Sequence, residues 1–306
     1  MAENRNAQQV REITDKLEQG LKELFESERF KEYLKTMSKF YNYSFNNTIL
    51  IAMQKPDATL IAGYTAWQRN FDRHVMKGEK GIKILAPAPY KVQEEREKLD
   101  PATQKPVLDK DGKPVTETVE VTRPAFKVVS VFDVSQTDGK ELPDIAVDEL
   151  TGSVENYAAF FDALKELSPV PIAFENITDG AKGYFSHVEN RIAIQEGMSE
   201  IQTIKTAIHE IAHAKLHAVT PGEKVAPEDK KDRRTKEVEA ESVAYTVCQR
   251  YGIETSDYSF GYIAGWSSDK ETKELKGSLE TIRKTAAEMI TGIDEKLKER
   301  LAVKEQ

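Results

Sequence analysis

Three of the chain's five histidines fall within nine positions of "TAIHEIAHAKLH" (206–217), and a glutamate follows the first of them. On an α-helix, residues four apart share a face and differ by about 6 Å in rise, so His209 and His213 can turn toward one cation. Glu210, next to the first histidine, can hold a water at that cation and take its proton. A zinc ion brings the pKa of such a water toward about 7, which makes hydrolysis feasible at neutral pH. His217 stands about 12 Å from His209 by helix rise, too far to share an ion, and reads as packing or as support around the site. The glycine and later histidine of a three-histidine zinc helix are absent.

Two histidines leave room for a carboxylate, and "EVEAESVAYTVCQRY" (237–251) offers Glu237, Glu239 and Glu241. Ala240, Val243, Ala244, Val247, Cys248 and Tyr251 set an apolar arc on that helix, which places Glu237 inside the arc, Glu241 at its edge and Glu239 well outside. A carboxylate on a buried face needs a positive partner, and a metal ion supplies one. Glu237 is therefore the expected ligand. Glu241 is its rival, or the acceptor for a ligating histidine's free N–H. Glu239 is expected at the solvated surface, and Cys248 is too far along to join. Zinc suits two histidines, one carboxylate and an open position, although iron and manganese accept the same donors. Tyr184, His187, Tyr258 and Tyr262 are candidates for stabilising an oxyanion.

The supporting elements can be read from periodicity. Apolar residues at helix spacing run from Val10 to Phe25 and again from Phe30 to Tyr41, and Asn46 or Asn47 is placed to cap a short helix ending at Pro56. "GEKGIKILAPAPY" and "FKVVSVFDVSQ" read as strands, with the polar 91–120 stretch between them as a hairpin excursion. A helix is expected over 153–167. "VPIAF" and "GYFSHVENRIAI" then read as strands, the latter a hairpin. "SEIQ" (199–202) is a capping box for the histidine helix, Pro221 ends that region, and a charged loop covers 222–235. Helices from about Lys236 to Tyr251 and near 270–299 complete an α+β pattern.

The chain has 306 residues, a net charge of −8 and one cysteine. That cysteine excludes an internal disulfide and suits a reducing, cytoplasmic setting. The first ten residues contain no apolar stretch of the secretory kind, and no membrane-spanning run occurs. Charge is uneven: residues 31–90 hold nine Lys/Arg against four acids, and "ELPDIAVDEL" (141–150) holds four acids and no base. Aromatics and amides interleave over 40–71, followed by Lys77, Lys80 and Lys83. Stacking rings beside a basic groove are the means by which proteins hold single-stranded nucleic acid. Tyr41, Tyr43, Asn46, Asn47, Trp67, Arg69, Lys77, Lys80 and Lys83 are the candidate DNA-binding residues, although several of these aromatics must also build a core. No phosphate-binding loop is present, which argues against nucleotide hydrolysis, and no serine or cysteine nucleophile arrangement is found.

The pair "HEIAH" and "EVEAESVAY" resembles the zinc-binding segments of gluzincin-type peptidases, including the ImmA/IrrE group. Glu237 matches their metal-binding glutamate, and Glu241 stands where Asp or Asn is usual. The run "FYNYSFNNTILIAMQKPDATLIAGYTAWQ", continued by "VMKGEKGIKILAP", resembles the N-terminal domain of ArdC-type antirestriction proteins. That resemblance implies a single-stranded-DNA-binding domain over 1–145, with an inserted hairpin near 91–120, and a zincin-like metallopeptidase domain over 146–306. Such proteins are typically encoded on conjugative elements and protect incoming DNA from restriction. Three functions follow as expectations. One is a bifunctional DNA-binding zinc peptidase whose expected substrates include a DNA-associated protein. The others are a DNA-protecting protein with a structural or vestigial metal site and an ImmA-type enzyme that cleaves a regulator.

Overall fold

The computed structural model describes residues 2–101, 103–142, 154–178, 180–218, 231–253, 255, 258, 260–268 and 270–304. Pro221, most of the charged loop at 222–235 and most of the acidic join at 141–150 lie outside them. Two compact units are built: one gathers the chain up to Lys16 with Lys83–Ser130, the other Leu17–Ile82 with the chain from Val131 on.

In chain order, α1 (Ala2–Glu23) carries Ile13, Leu17 and Leu21 as one buried stripe, and α2 (Ser27–Lys39) buries Phe30, Tyr33, Leu34 and Met37. α3 (Phe45–Gln54) is capped by Ser44, whose hydroxyl accepts the Asn47 N–H, and not by Asn46 or Asn47. Ser44 has the extended backbone that a cap needs, and both asparagines already lie within the first turn. β1 (Ile61–Gly63), α4 (Tyr64–Phe71) and β2 (Arg73–Val75) follow. β3 (Ile82–Pro87) leads to β4 (Tyr90–Glu97) and β5 (Thr116–Arg123), which pair antiparallel as the expected hairpin. Then come β6 (Phe126–Asp133), whose last three residues pair with β1, a 3₁₀ turn at Val134–Gln136, and β7 (Thr137–Gly139) against β2. Asp133 is buried and accepts the backbone N–H groups of Thr59, Leu60 and Ser135.

α5 (Val154–Leu167) precedes a three-stranded sheet of β8 (Ile172–Glu175), β9 (Gly183–Ser186) and β10 (Arg191–Gln195). β10 lies in the middle, parallel to β8 and antiparallel to β9, with Ile192, Ala193 and Ile194 fully buried. α6 (Glu200–His217) packs on β9 and β10. Ser199 caps it by accepting the Gln202 N–H, whereas the Gln202 side chain turns to Thr206 and Lys182 and leaves the box half made. α7 (Arg233–Arg250) starts three residues before the expected Lys236, because Asp232 accepts the Thr235 N–H as its cap. The short α8 (Ile263–Ser267) and long α9 (Thr272–Lys304) close the chain. α7 packs against α2, α6 and α9, and Phe30, Phe260 and Tyr245 stack edge to face in its surroundings, so early and late helices share one core. Helices and mostly antiparallel strands are segregated, as α+β requires. Among the described residues no helix is long and apolar enough to cross a membrane.

Candidate metal centre

α6 and α7 bring the two halves of the pattern together. His209 Nε2 and His213 Nε2 stand 3.1 Å apart, and Glu237 Oε2 lies 3.7 Å from the first and 3.5 Å from the second. Two ligands held about 2.0–2.1 Å from one tetrahedral ion are separated by about 3.3 Å, so the three atoms already stand at coordination spacing. They are the one group of three or more His, Cys, Asp or Glu ligand atoms gathered in this way among the described residues.

The electrostatics express the same convergence. The imidazoles of His209 and His213 hold the Glu237 carboxyl far below the usual carboxylate range, against its partial burial. Burial disfavours a charged His209, yet Glu237, with Glu210 and Glu241 nearby, raises it above the ordinary imidazole value. Two rings and a carboxylate thus converge on a point where one cation would satisfy all three. Glu210 is buried, and burial raises its carboxyl above the ordinary value while the two histidines and the Phe185 N–H oppose the rise. A carboxylate whose pKa is raised in this way is a better proton acceptor than an ordinary one.

Two cavities adjoin the triad and share Gly183, His209 and Glu210. One, of about 540 Å³, is lined by Tyr184, His187, His213, Lys236 and Glu237 among others. The second, of about 350 Å³, reaches Lys182, Lys205, Glu241 and Tyr258. Glycine is required at 183, because a Cβ there would stand 2.9 Å from the Ala193 carbonyl and 2.6 Å from the Thr206 methyl. β9 can therefore lie close against α6, beside Glu210. Of the oxyanion candidates, Tyr184 donates its hydroxyl to Glu175 at 2.6 Å and Tyr262 donates to Glu241, while His187 and Tyr258 line the cavities.

Two expectations on α7 are corrected. Glu239 is fully buried, not solvated, and Glu237 keeps 48% of its side chain exposed, facing the cavity. The apolar arc misled because α7 is enclosed on several sides: Val238–Ala240 and Ser242–Cys248 are all buried, including polar residues that no hydrophobic arc counts. Glu239 is balanced by Lys231 at 2.7 Å and by His217 at 3.1 Å. His217 meets His213 Nδ1 to Nδ1 at 3.1 Å, in the supporting position expected of it. Burial lowers the His217 pKa, with Glu239 opposing. Sequence reasoning missed this pairing, because it depends on how α6 and α7 pack and neither helix alone signals it.

The structure separates the candidate DNA-binding residues. Trp67 is fully buried, tilted against Phe71, with its N–H on the Phe132 carbonyl, so it has no ring face for a base and is a core residue. Asn47 is also buried, inside α3. Tyr41 is half-buried beneath the Arg250 guanidinium at 5.4 Å, and Tyr43 packs edge to face on Phe40. Asn46, Arg69, Lys77, Lys80 and Lys83 are exposed, Lys83 donating to Ser130 Oγ at 2.6 Å.

Comparison with known proteins places these features. Residues 4–132 match the family described as the N-terminal domain of anti-restriction factor ArdC, and residues 168–251 match the IrrE N-terminal-like domain of peptidase family M78. A Bacillus anthracis protein named only as uncharacterised protein pXO2-81 is 29% identical over 95% of this chain and 52% of its own length. DNA primase TraC of Escherichia coli is 34% identical over 45% of this chain and 12% of its own. The chain therefore spans about half of the first relative and a small part of the second. Crystal structures of the antirestriction protein ArdC from plasmid R388, metal-free and Mn(II)-bound, are 22% and 21% identical. Their TM-scores are 0.48 and 0.47, over 85% of this chain and 85% and 86% of theirs. The first part of the chain is thus similar to the ArdC N-terminal domain and a later part to the M78 peptidase-like domain, and His209, His213 and Glu237 all lie within the second matched stretch.

Proposed function

We propose that this chain is an antirestriction-type protein in which a zinc-dependent peptidase site is joined to a single-stranded-DNA-binding segment, acting in the cytoplasm. The observation that carries the enzymatic half is the spacing of the three ligand atoms, 3.1–3.7 Å apart on two different helices, with the Glu210 carboxylate next to them. His209, His213 and Glu237 would hold the ion, and Glu241 would support them from one turn further along α7. When bound, a divalent zinc ion supplies an acidified water and polarises a carbonyl. Glu210 accepts the proton of the attacking water and returns it to the leaving amine, a task that its raised pKa fits. The cavities shared by His209 and Glu210 receive the peptide, with His187 and Tyr258 in their walls.

The DNA half rests on the ArdC N-terminal match, on the 34% identity with a protein named as a DNA primase, and on exposed Arg69, Lys77, Lys80 and Lys83. The limits 1–145 and 146–306 divide the two roles in sequence. Glu210→Gln is the deciding variant. It is expected to keep zinc, measured by metal analysis against His209→Ala, and to release no new amino termini from a peptide mixture. Undiminished hydrolysis would refute Glu210 as the base. Full protection of incoming DNA by that variant would leave hydrolysis out of antirestriction and favour a DNA-coating protein with a vestigial site. A single dominant cleavage product in cells would favour cleavage of one regulator.

A further inference from the structure

We propose that Lys231, Glu239 and His217 form a one-way hydrogen-bond chain that fixes the tautomer and orientation of His213, leaving its Nε2 bare toward the triad. The inference rests on the reading of His209, His213 and Glu237 as metal ligands, and it adds Lys231, Glu239 and His217, which that reading does not use.

Each link's polarity follows from the one before. A lysine ammonium only donates, and Lys231 Nζ meets both Glu239 oxygens, at 2.7 and 2.8 Å. An ionised carboxylate only accepts, so His217 Nε2, 3.1 Å from Glu239 Oε2, must carry a proton. A neutral His217 then presents a bare Nδ1. His213 Nδ1, 3.1 Å away, is the only partner able to donate across that contact. A neutral His213 protonated at Nδ1 has a bare Nε2, and that atom lies 3.1 Å from His209 Nε2 and 3.5 Å from Glu237 Oε2. The reverse direction needs a cationic His217 beside a carboxylate whose charge Lys231 already balances. With side chains 2% and 0% exposed, the pair would then hold an uncompensated charge. His217 is thus a positioning residue acting through His213. It extends the usual carboxylate partner of a metal-bound histidine by one imidazole.

The test uses the full chain stripped of metal, with Zn²⁺ as the probe in competition with a chromophoric chelator. His217→Leu removes the acceptor and is expected to weaken zinc binding by about 10–100-fold, the usual effect of losing such a partner. His217→Gln keeps an acceptor and a donor at similar spacing and should recover most of that loss. Ring ¹⁵N NMR of the metal-free protein should show His213 as the Nδ1–H tautomer in the wild type and His217→Gln, and as a mixture in His217→Leu. Thermal melts separate folding from positioning: a lower Tm with unchanged zinc affinity would overturn the proposal. If His217→Leu does not fold, the wild-type spectrum still decides, since a His213 protonated at Nε2 refutes the chain outright. Absence of zinc binding by the wild type would instead sink the metal reading and leave the tautomer result standing.

Discussion

At the scale of single residues, the chemistry depends on which carboxylate goes where. Glu237 and Glu239 are two positions apart on α7, about 200° around the axis, and they meet different α6 histidines: Glu237 meets His209 and His213, Glu239 meets His217. Glu237 meets the imidazole pair in a cavity, half of its side chain exposed, and Glu239 is sealed against His217 and Lys231. Metal binding requires neutral histidines, and Glu237 together with Glu210 and Glu241 raises the His209 pKa. Protons therefore compete with the ion from a pH above the ordinary imidazole value of about 6.5. Zinc affinity measured between pH 5 and 9 should fall on acidification, with the decline beginning above about pH 6.5. A flat profile across neutrality would contradict the raised His209. Trp67 supplies a second prediction at this scale. As a fully buried ring with its N–H satisfied, its loss in Trp67→Ala should cost about 3–5 kcal/mol in urea unfolding, by cavity formation. A stable Trp67→Ala protein with selectively impaired DNA binding would return the residue to the DNA surface.

At the scale of elements, the site depends on three close approaches: α6 on α7, α6 on the β9–β10 pair, and the hairpin that brings β9 alongside Glu210. Gly183 permits the second. Gly183→Ala would drive a methyl group into the Ala193 carbonyl and the Thr206 side chain, so β9 or α6 must move. The expected destabilisation is about 1–3 kcal/mol, as for other overpacked sites. Because the Glu210 Cγ is also within 3.5 Å of that position, hydrolysis should fall by more than stability alone explains. Chemical denaturation and turnover measured together check this, and an unchanged midpoint would show that β9 has slack that the packing does not suggest. The helix caps show how far local sequence reaches. Ser199 starts α6 by a side-chain bond that the sequence anticipates, whereas Asp232 starts α7 three residues before the expected Lys236, and the two caps fix the axial position of each histidine and glutamate.

At the scale of the whole molecule, charge and residue order shape what the chain can bind. Its net charge is −8, yet residues 31–90 are locally +5, and Arg69, Lys77, Lys80 and Lys83 reach solvent there. Single-strand binding through such residues should weaken steeply from about 50 to 200 mM salt. Lys77→Ala with Lys80→Ala should lower the slope of log affinity against log salt by about 0.7 for each phosphate that is no longer neutralised. Binding that is indifferent to salt, or an unaltered slope in the double variant, would contradict electrostatic docking at these lysines.

The histidine pair, Glu210 and the existence of a glutamate-bearing helix after them were legible in the sequence because helix periodicity fixes what one helix presents on one face. The α+β pattern, the 91–120 hairpin and the β9–β10 hairpin were legible from another local signal, β-branched runs separated by turn residues. Tertiary structure decided the rest. α7 is surrounded by neighbours, so the exposure of Glu237 and burial of Glu239 depend on which helix packs against which side, information that an apolar arc does not contain. Trp67, Asn47 and Tyr41 turned inward because their partners Phe132, the α3 turn and Arg250 lie elsewhere in the chain or serve the helix itself. Periodicity specifies a residue's direction from its own helix axis; only packing specifies what stands in that direction.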